Sequence, residues 1–107
     1  MEKGFWIAAL QTKLNDSEIL VKKYISLGME LYLFGSALKK RFPADLDIAI
    51  LYNQCDMKEA RTVRDITTST FHSVFSGPID IILLSFTENQ ETQFLIKEKA
   101  ELIFPTF

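Results

Sequence analysis

The chain has 107 residues, of which 48% are hydrophobic and 24% charged, the composition of an ordinary globular protein rather than a disordered one. Fourteen acidic and 12 basic side chains give a formal charge of -2, which argues against a protein that wraps nucleic acid. This length predicts one domain over residues 1–107, and the single cysteine, Cys55, excludes an internal disulfide bond. Because the N-terminal segment soon becomes polar and no apolar run could span a bilayer, we expect a soluble, cytoplasmic protein without a membrane partner.

The first third of the chain predicts two helices and a strand. A first helix is expected over residues 5–14. Asp16 is a suitable N-cap for a second helix that runs to Leu27, and Gly28 occupies the stop position that follows it. The apolar residues 31–34 predict a buried strand.

A Gly-Ser turn follows this strand. We expect Gly35-Ser36 to lead into a short helix over residues 36–41, which Pro43 ends. The apolar segment 46–52 then predicts a second strand. The turn therefore lies between two strands that are close in sequence.

The rest of the chain alternates helix and strand. Asp56 with Glu59 resembles a capping box for a helix to about Phe75, and Gly77-Pro78 breaks the chain after it. The remaining predicted elements are a strand over 79–84, a helix capped by Thr87 with Gln90, and a short edge strand over 102–104. Apolar strands separated by amphipathic helices predict an α/β (α+β) fold, with a small mixed β-sheet covered by helices on at least one face.

Three carboxylates interrupt the apolar strands. Asp45 and Asp47 are two residues apart, so on an extended strand both side chains project from the same face. Like charges on one face repel, and a bound cation offsets that cost; oxygen ligands favour magnesium or manganese over zinc. Asp80 lies near the start of the third strand and would join the same cluster if the second and third strands are neighbours.

The order of these residues resembles the minimal nucleotidyltransferases of the DNA polymerase beta superfamily, over nearly the whole chain. The resemblance implies that superfamily's fold and places nucleotide phosphates on Gly35 and Ser36. It also implies that Asp45 and Asp47 bind two Mg²⁺ ions. Asp80 would join the metal site and help to activate the attacking hydroxyl group.

Two lysines are further candidates for binding the nucleotide. Lys39 and Lys40 follow the Gly-Ser turn and could add positive charge near a triphosphate. The alternative interpretation is a solvated helix face that contacts no ligand. Both interpretations remain open at the level of the sequence.

The implied activity is magnesium-dependent transfer of a nucleoside monophosphate, AMP from ATP, to an acceptor hydroxyl. Small members of the family often act as antitoxins of HEPN-domain toxins, which implies a HEPN-like protein partner or a homodimer. The alternative is a catalytically weak or inactive nucleotide-binding module that neutralises its partner by contact. Only eight residues, 37–44, separate Ser36 from Asp45, fewer than is usual in the family, and this short connection motivates the alternative. Transfer to a small molecule or an RNA end is a third possibility, and the nearly neutral charge disfavours RNA.

Overall fold

The computed structural model describes residues 4–105, which form five α-helices and four β-strands. The helices are α1 (Phe5–Asn15), α2 (Glu18–Leu27), α3 (Met57–Phe71), α4 (Phe86–Thr92) and α5 (Phe94–Lys97). The strands are β1 (Glu30–Phe34), β2 (Leu46–Tyr52), β3 (Ile79–Ser85) and β4 (Glu101–Phe104). No helix among residues 4–105 has both the length and the hydropathy needed to cross a membrane.

The strands form one mixed sheet in the order β3-β2-β1-β4. Strand β1 is antiparallel to β2 and to β4, whereas β2 and β3 are parallel neighbours joined through α3. The predicted fold class is therefore confirmed, as is the position of β4 at an edge of the sheet. The neighbouring β2 and β3 also meet the condition on which the carboxylate cluster depended.

One face of the sheet carries the main core. Side chains alternate between faces along a strand, so Leu46, Ile48 and Ile50 of β2 all point to the same side and are completely buried. Helices α1, α2 and α3 contribute to this core. Deep within it, the hydroxyl groups of Tyr24 and Thr67 share a hydrogen bond of 2.7 Å that joins α2 to α3.

The opposite face is covered only in part. Helices α4 and α5 lie against it, and the ring of Phe94 packs edge-on against the ring of Phe34, with centroids 5.2 Å apart. Ala49 and Leu51, in the middle and second half of β2, are buried on this face. Asp47, nearer the start of the same strand, is only half-buried. This face is therefore more open at the start of β2, where Asp47 lies, than in the second half of the strand.

The segment after Gly35 is shorter than the predicted helix over 36–41. It is a single 3₁₀ turn, Gly35–Leu38, closed by bonds from the N–H groups of Lys39 and Lys40 to the carbonyl oxygen of Ser36. Beyond this turn, the indole N–H of Trp6 donates to the carbonyl oxygen of Arg41 over 2.8 Å and ties the loop to α1. Lys39 and Lys40 therefore belong to a loop.

Predicted helix ends and caps were also wrong in four places. Asp56 stands at the N-cap of α3 but makes no side-chain capping hydrogen bond, so the predicted capping box with Glu59 does not form. Ser17, not Asp16, caps α2, because Asp16 is already the C-terminal residue that closes α1. Ser85 with Glu88, not Thr87 with Gln90, forms the capping box of α4. Helix α3 ends at Phe71, four residues before the predicted end, and Phe75 instead packs edge-on against the Trp6 ring with centroids 5.3 Å apart.

Candidate active site

The candidate site lies where β1 ends and where β2 and β3 begin. Asp47 of β2 pairs in register with Asp80 of β3 on one side and with Phe34 of β1 on the other. Residues paired in register on parallel strands project from the same face, and neighbouring strands are about 4.8 Å apart. The two carboxylates are therefore side by side, and the Gly-Ser turn that follows Phe34 adjoins them.

Gly35 approaches Asp47 more closely than any other residue type would allow. Its φ is +80°, in the left-handed region that favours glycine. A Cβ atom at this position would lie 2.5 Å from Asp47 Oδ2 and 3.3 Å from Asp47 Cβ. The backbone of the turn and the carboxylate of Asp47 are thus in direct contact, which explains why glycine stands here.

The charges that shift the pKa of Asp47 are those of other acidic residues. Partial burial raises the pKa of Asp47, and the neighbouring charges of Asp45, Asp80 and Glu98 raise it further. Asp45 directly precedes β2 and is half-buried, whereas Asp80 is exposed. Asp45 and Asp80 therefore both act on the charge of Asp47.

Glu98 is the acidic residue that sequence reasoning missed. It closes α5, the short helix that the contact between Phe94 and Phe34 holds against the open face of the sheet. The sequence carries no motif around Glu98 that would have identified it. Only the packing of α5 brings its charge within range of Asp47.

The basic residues of the loop take different positions. Neither Lys39 nor Lys40 is among the charges that shift the pKa of Asp47, and both side chains are exposed. Ser36 is also exposed, at the start of the turn. Arg41 turns toward α1, where its guanidinium lies 4.4 Å from the centre of the Phe5 ring. The structure therefore brings the backbone of Gly35 against Asp47 and leaves the side chains of Ser36, Lys39 and Lys40 exposed to solvent.

The donor set suits a hard divalent cation. Three carboxylates, offering only oxygen atoms, repel one another at the sheet edge, and a cation such as Mg²⁺ would relieve that repulsion. Within residues 4–105, no three His, Cys, Asp or Glu side chains are gathered closely enough to hold a metal ion as they stand.

Comparisons with other proteins assign no family to this geometry. Neither the protein-family models, nor the curated proteins, nor the solved structures compared with the chain gave a match. The interpretation of the site rests on the register of Asp47 with Asp80, on the Gly35 contact and on the acidic surroundings of Asp47.

Proposed function

We propose that this protein is a cytoplasmic, magnesium-dependent nucleotidyltransferase with a polymerase beta-like fold, which transfers AMP from ATP to an acceptor hydroxyl. The observation that carries the proposal is the pairing of Asp47 with Asp80 on adjacent strands, with the Gly35 turn packed against Asp47. This arrangement combines a carboxylate pair with a turn whose backbone is accessible. Both features serve a substrate that is a metal-bound polyphosphate.

The reaction forms one bond and breaks another at the α-phosphorus of ATP. The acceptor oxygen attacks that phosphorus, and the bond from the phosphorus to the oxygen bridging to the β-phosphate breaks. Pyrophosphate leaves with the bond electrons, and the acceptor hydroxyl loses its proton. We assign the role of general base, which accepts that proton, to Asp80, because Asp80 is exposed and so accessible to an incoming hydroxyl group.

The other residues hold the substrate in this proposal. Asp45 and Asp47, joined by Asp80, would hold two Mg²⁺ ions, which neutralise the charge that develops on the pyrophosphate. Gly35 leaves room for a phosphate to approach the backbone, and the Ser36 hydroxyl is a further donor to it. Lys39 and Lys40 have long, solvated side chains that we expect to turn toward the triphosphate when it binds.

Transfer of label from ATP tests the activity. The protein is incubated with Mg²⁺ and ATP labelled at the α-phosphate, alone and with proteins that copurify with it, including any HEPN-domain partner. Label should enter a protein acceptor from α-labelled ATP but not from γ-labelled ATP, since the γ-phosphate leaves in pyrophosphate. Absence of transfer, or transfer that survives in both Asp45→Asn and Asp47→Asn, would overturn the proposal.

A matched control separates the site from general charge effects. Asp65→Asn also removes one carboxylate, but Asp65 lies exposed on α3, the helix that packs on the other face of the sheet. We expect Asp65→Asn to label its acceptor as the unaltered protein does. Thermal unfolding with and without Mg²⁺ gives a second readout, because a ligand that binds only the folded state raises the unfolding temperature. That rise should be lost in Asp47→Asn and retained in Asp65→Asn.

A second candidate function follows from the loop. The connection from Ser36 to Asp45 is short, and the Trp6 hydrogen bond to Arg41 anchors it to α1 while Lys39 and Lys40 stay in solvent. These observations favour a module that binds nucleotide weakly, or not at all, and neutralises its partner by contact. Replacing Asp45, Asp47 and Asp80 by Asn together decides between the two functions. Neutralisation that survives in the triple variant supports contact, and its loss supports catalysis.

A further inference from the structure

An apolar groove lies next to the candidate site and plays no part in the proposed chemistry. It is an open groove formed by the start of α1, by residues 41–43 of the loop and by residues 74–76 after α3, with a volume of about 390 Å³. Phe42 stands at this groove with 88% of its surface exposed, the largest exposed fraction among the large apolar side chains described in residues 4–105. A volume of this size lies within the range of pockets that bind ligands.

The walls of the groove are held firmly. The Trp6 indole, 8% exposed, donates to the carbonyl oxygen of Arg41 over 2.8 Å and packs edge-on against Phe75. Pro43, which follows Phe42, is buried. The exposed Phe42 is therefore flanked on both sides by anchored residues. The backbone around Phe42 is thus ordered before binding, and the Phe42 side chain has only two rotatable bonds, so little conformational entropy is lost when a partner covers it.

The groove also carries one positive charge. The guanidinium of Arg41 lies 4.4 Å from the centre of the Phe5 ring and 6.0 Å from that of Phe42. Neither of the two ion pairs found within residues 4–105 includes Arg41. A ligand that places a carboxylate beside a large apolar side chain would satisfy both features of this surface, because it pairs the guanidinium and fills the apolar space.

Two walls of the groove are close along the chain to residues of the candidate active site, which lies on the other face of the sheet from α1 and α3. Phe42 is three residues before Asp45, and Ser76 is four residues before Asp80. At about 3.4 Å for each extended residue, these separations are at most about 10 and 14 Å. The two segments are joined where the N–H of Leu46 donates to the carbonyl oxygen of Pro78 over 3.0 Å. A chain bound in the groove would therefore have hydroxyl side chains a few residues away within reach of the carboxylates.

We propose that this groove binds a polypeptide in which a large apolar side chain is flanked by acidic residues, and that this polypeptide is the acceptor. The description as acceptor rests on the proposed nucleotidyltransferase activity, whereas the binding itself does not. A concave site favours insertion of a side chain over contact with a flat lipid surface. Among residues 4–105, Arg41 is the one basic residue that lines the groove, and the chain's net charge is -2, so the groove lacks the several positive charges that a nucleic acid backbone requires.

Peptide binding tests the groove. The probe is a short fluorescein-labelled peptide with one phenylalanine flanked by glutamates and with a serine and a tyrosine nearby, and its anisotropy is measured on adding protein. A second peptide carries lysines in place of the glutamates. We expect the acidic peptide to bind and Phe42→Ala to weaken it at least about tenfold. Arg41→Gln should remove the preference for the acidic peptide. Ile19→Ala, which truncates another exposed apolar residue on α2, serves as the matched control and should leave binding unchanged.

Several results would overturn the groove proposal. These are equal binding of the acidic and basic peptides, no binding of either, or equal affinities for Phe42→Ala and Ile19→Ala. Binding of phosphatidylserine vesicles or single-stranded RNA that depends on Phe42, without peptide binding, would assign the groove to another partner. All variants are exposed-site changes, and their thermal unfolding verifies that each is folded.

Transfer from α-labelled ATP distinguishes failure of the groove from failure of the activity. Label on the acidic peptide that requires both Asp45 and Phe42 supports the whole proposal. Peptide binding without any transfer supports the docking site and rejects its role as an acceptor site. Transfer to a protein acceptor at an unchanged rate in Phe42→Ala rejects the groove and leaves the activity standing.

Discussion

Replacing Gly35 by alanine tests the central contact of the site. The added Cβ atom would lie 2.5 Å from Asp47 Oδ2, whereas ordinary contacts between heavy atoms are about 3.5 to 4.0 Å. The Asp47 side chain or the turn must therefore move by about 1 Å. We expect Gly35→Ala to destabilise the fold and to displace the carboxylate of Asp47 from its position beside Asp80.

The expected cost has two parts. Placing alanine in the left-handed region costs about 1–2 kcal/mol, and forcing an atom into a packed contact costs about 1–3 kcal/mol more. Gly28→Ala provides the matched control, because Gly28 also has a positive φ, +64°, but nothing lies within 4 Å of the added Cβ. The two variants share the backbone cost, so the difference between them, about 1–3 kcal/mol, measures the contact with Asp47.

Urea unfolding followed by the fluorescence of Trp6, the single tryptophan, gives the free energy of unfolding of each variant. A double-mutant cycle then assigns the cost to its partner. Because Asp47→Ala removes the oxygen that the new Cβ would meet, Gly35→Ala should cost less in the Asp47→Ala background, with a coupling of about 1–3 kcal/mol. Equal costs for Gly35→Ala and Gly28→Ala, or a coupling near zero, would refute the close contact.

Three further predictions concern stability. Burial and neighbouring carboxylates raise the pKa of Asp47, so the folded protein binds a proton on Asp47 more tightly than the unfolded chain does. The contribution of Asp47 to stability is therefore present at low pH. It is lost as the pH rises from about 3.9, the pKa in the unfolded chain, through the raised pKa of the folded protein. Asp47→Asn should therefore unfold at higher urea than the unaltered protein at pH 7 and lose this advantage near pH 3; a constant difference across pH would contradict the shift. Tyr24→Phe should cost about 1–2 kcal/mol in urea unfolding because it leaves the buried Thr67 hydroxyl without its partner, and Tyr24→Phe with Thr67→Val should cost less than the sum of the single changes. Ser85→Ala should cost about 1 kcal/mol in the same assay by removing the side chain that accepts from the N–H of Glu88, and a neutral result would show that this cap contributes little.

The strands and their faces could be predicted because their signals are local. The alternation of Leu46, Ile48 and Ile50 with Asp47 assigns opposite faces within one strand, and this follows from the two-residue period of a strand alone. Gly28 and Gly35 marked chain reversals because few other residues adopt a positive φ. The class of fold followed from these same patterns.

Helix ends were harder to predict because several nearby residues compete to cap them. Asp16 and Ser17 are both good N-caps, and the end of α1 decides between them, since Asp16 closes that helix. Helix α3 ends at Phe71, and the Phe75 ring beyond it packs against Trp6, nearly seventy positions earlier in the chain. Propensity gives no information about such a contact.

By itself, the sequence determined that a Gly-Ser turn and three aspartates stand at the ends of apolar strands, because each of those signals lies within a few neighbouring residues. Only the tertiary structure decided that Asp47 pairs with Asp80, that Gly35 touches Asp47 and that Glu98 joins their surroundings. It also placed the guanidinium of Arg41 over the ring of Phe5. The physical reason is that strand register and helix packing arise from contacts between residues far apart in the chain, which a local sequence pattern does not specify. The hydrogen bond from Trp6 to Arg41, across 35 positions, is one such contact.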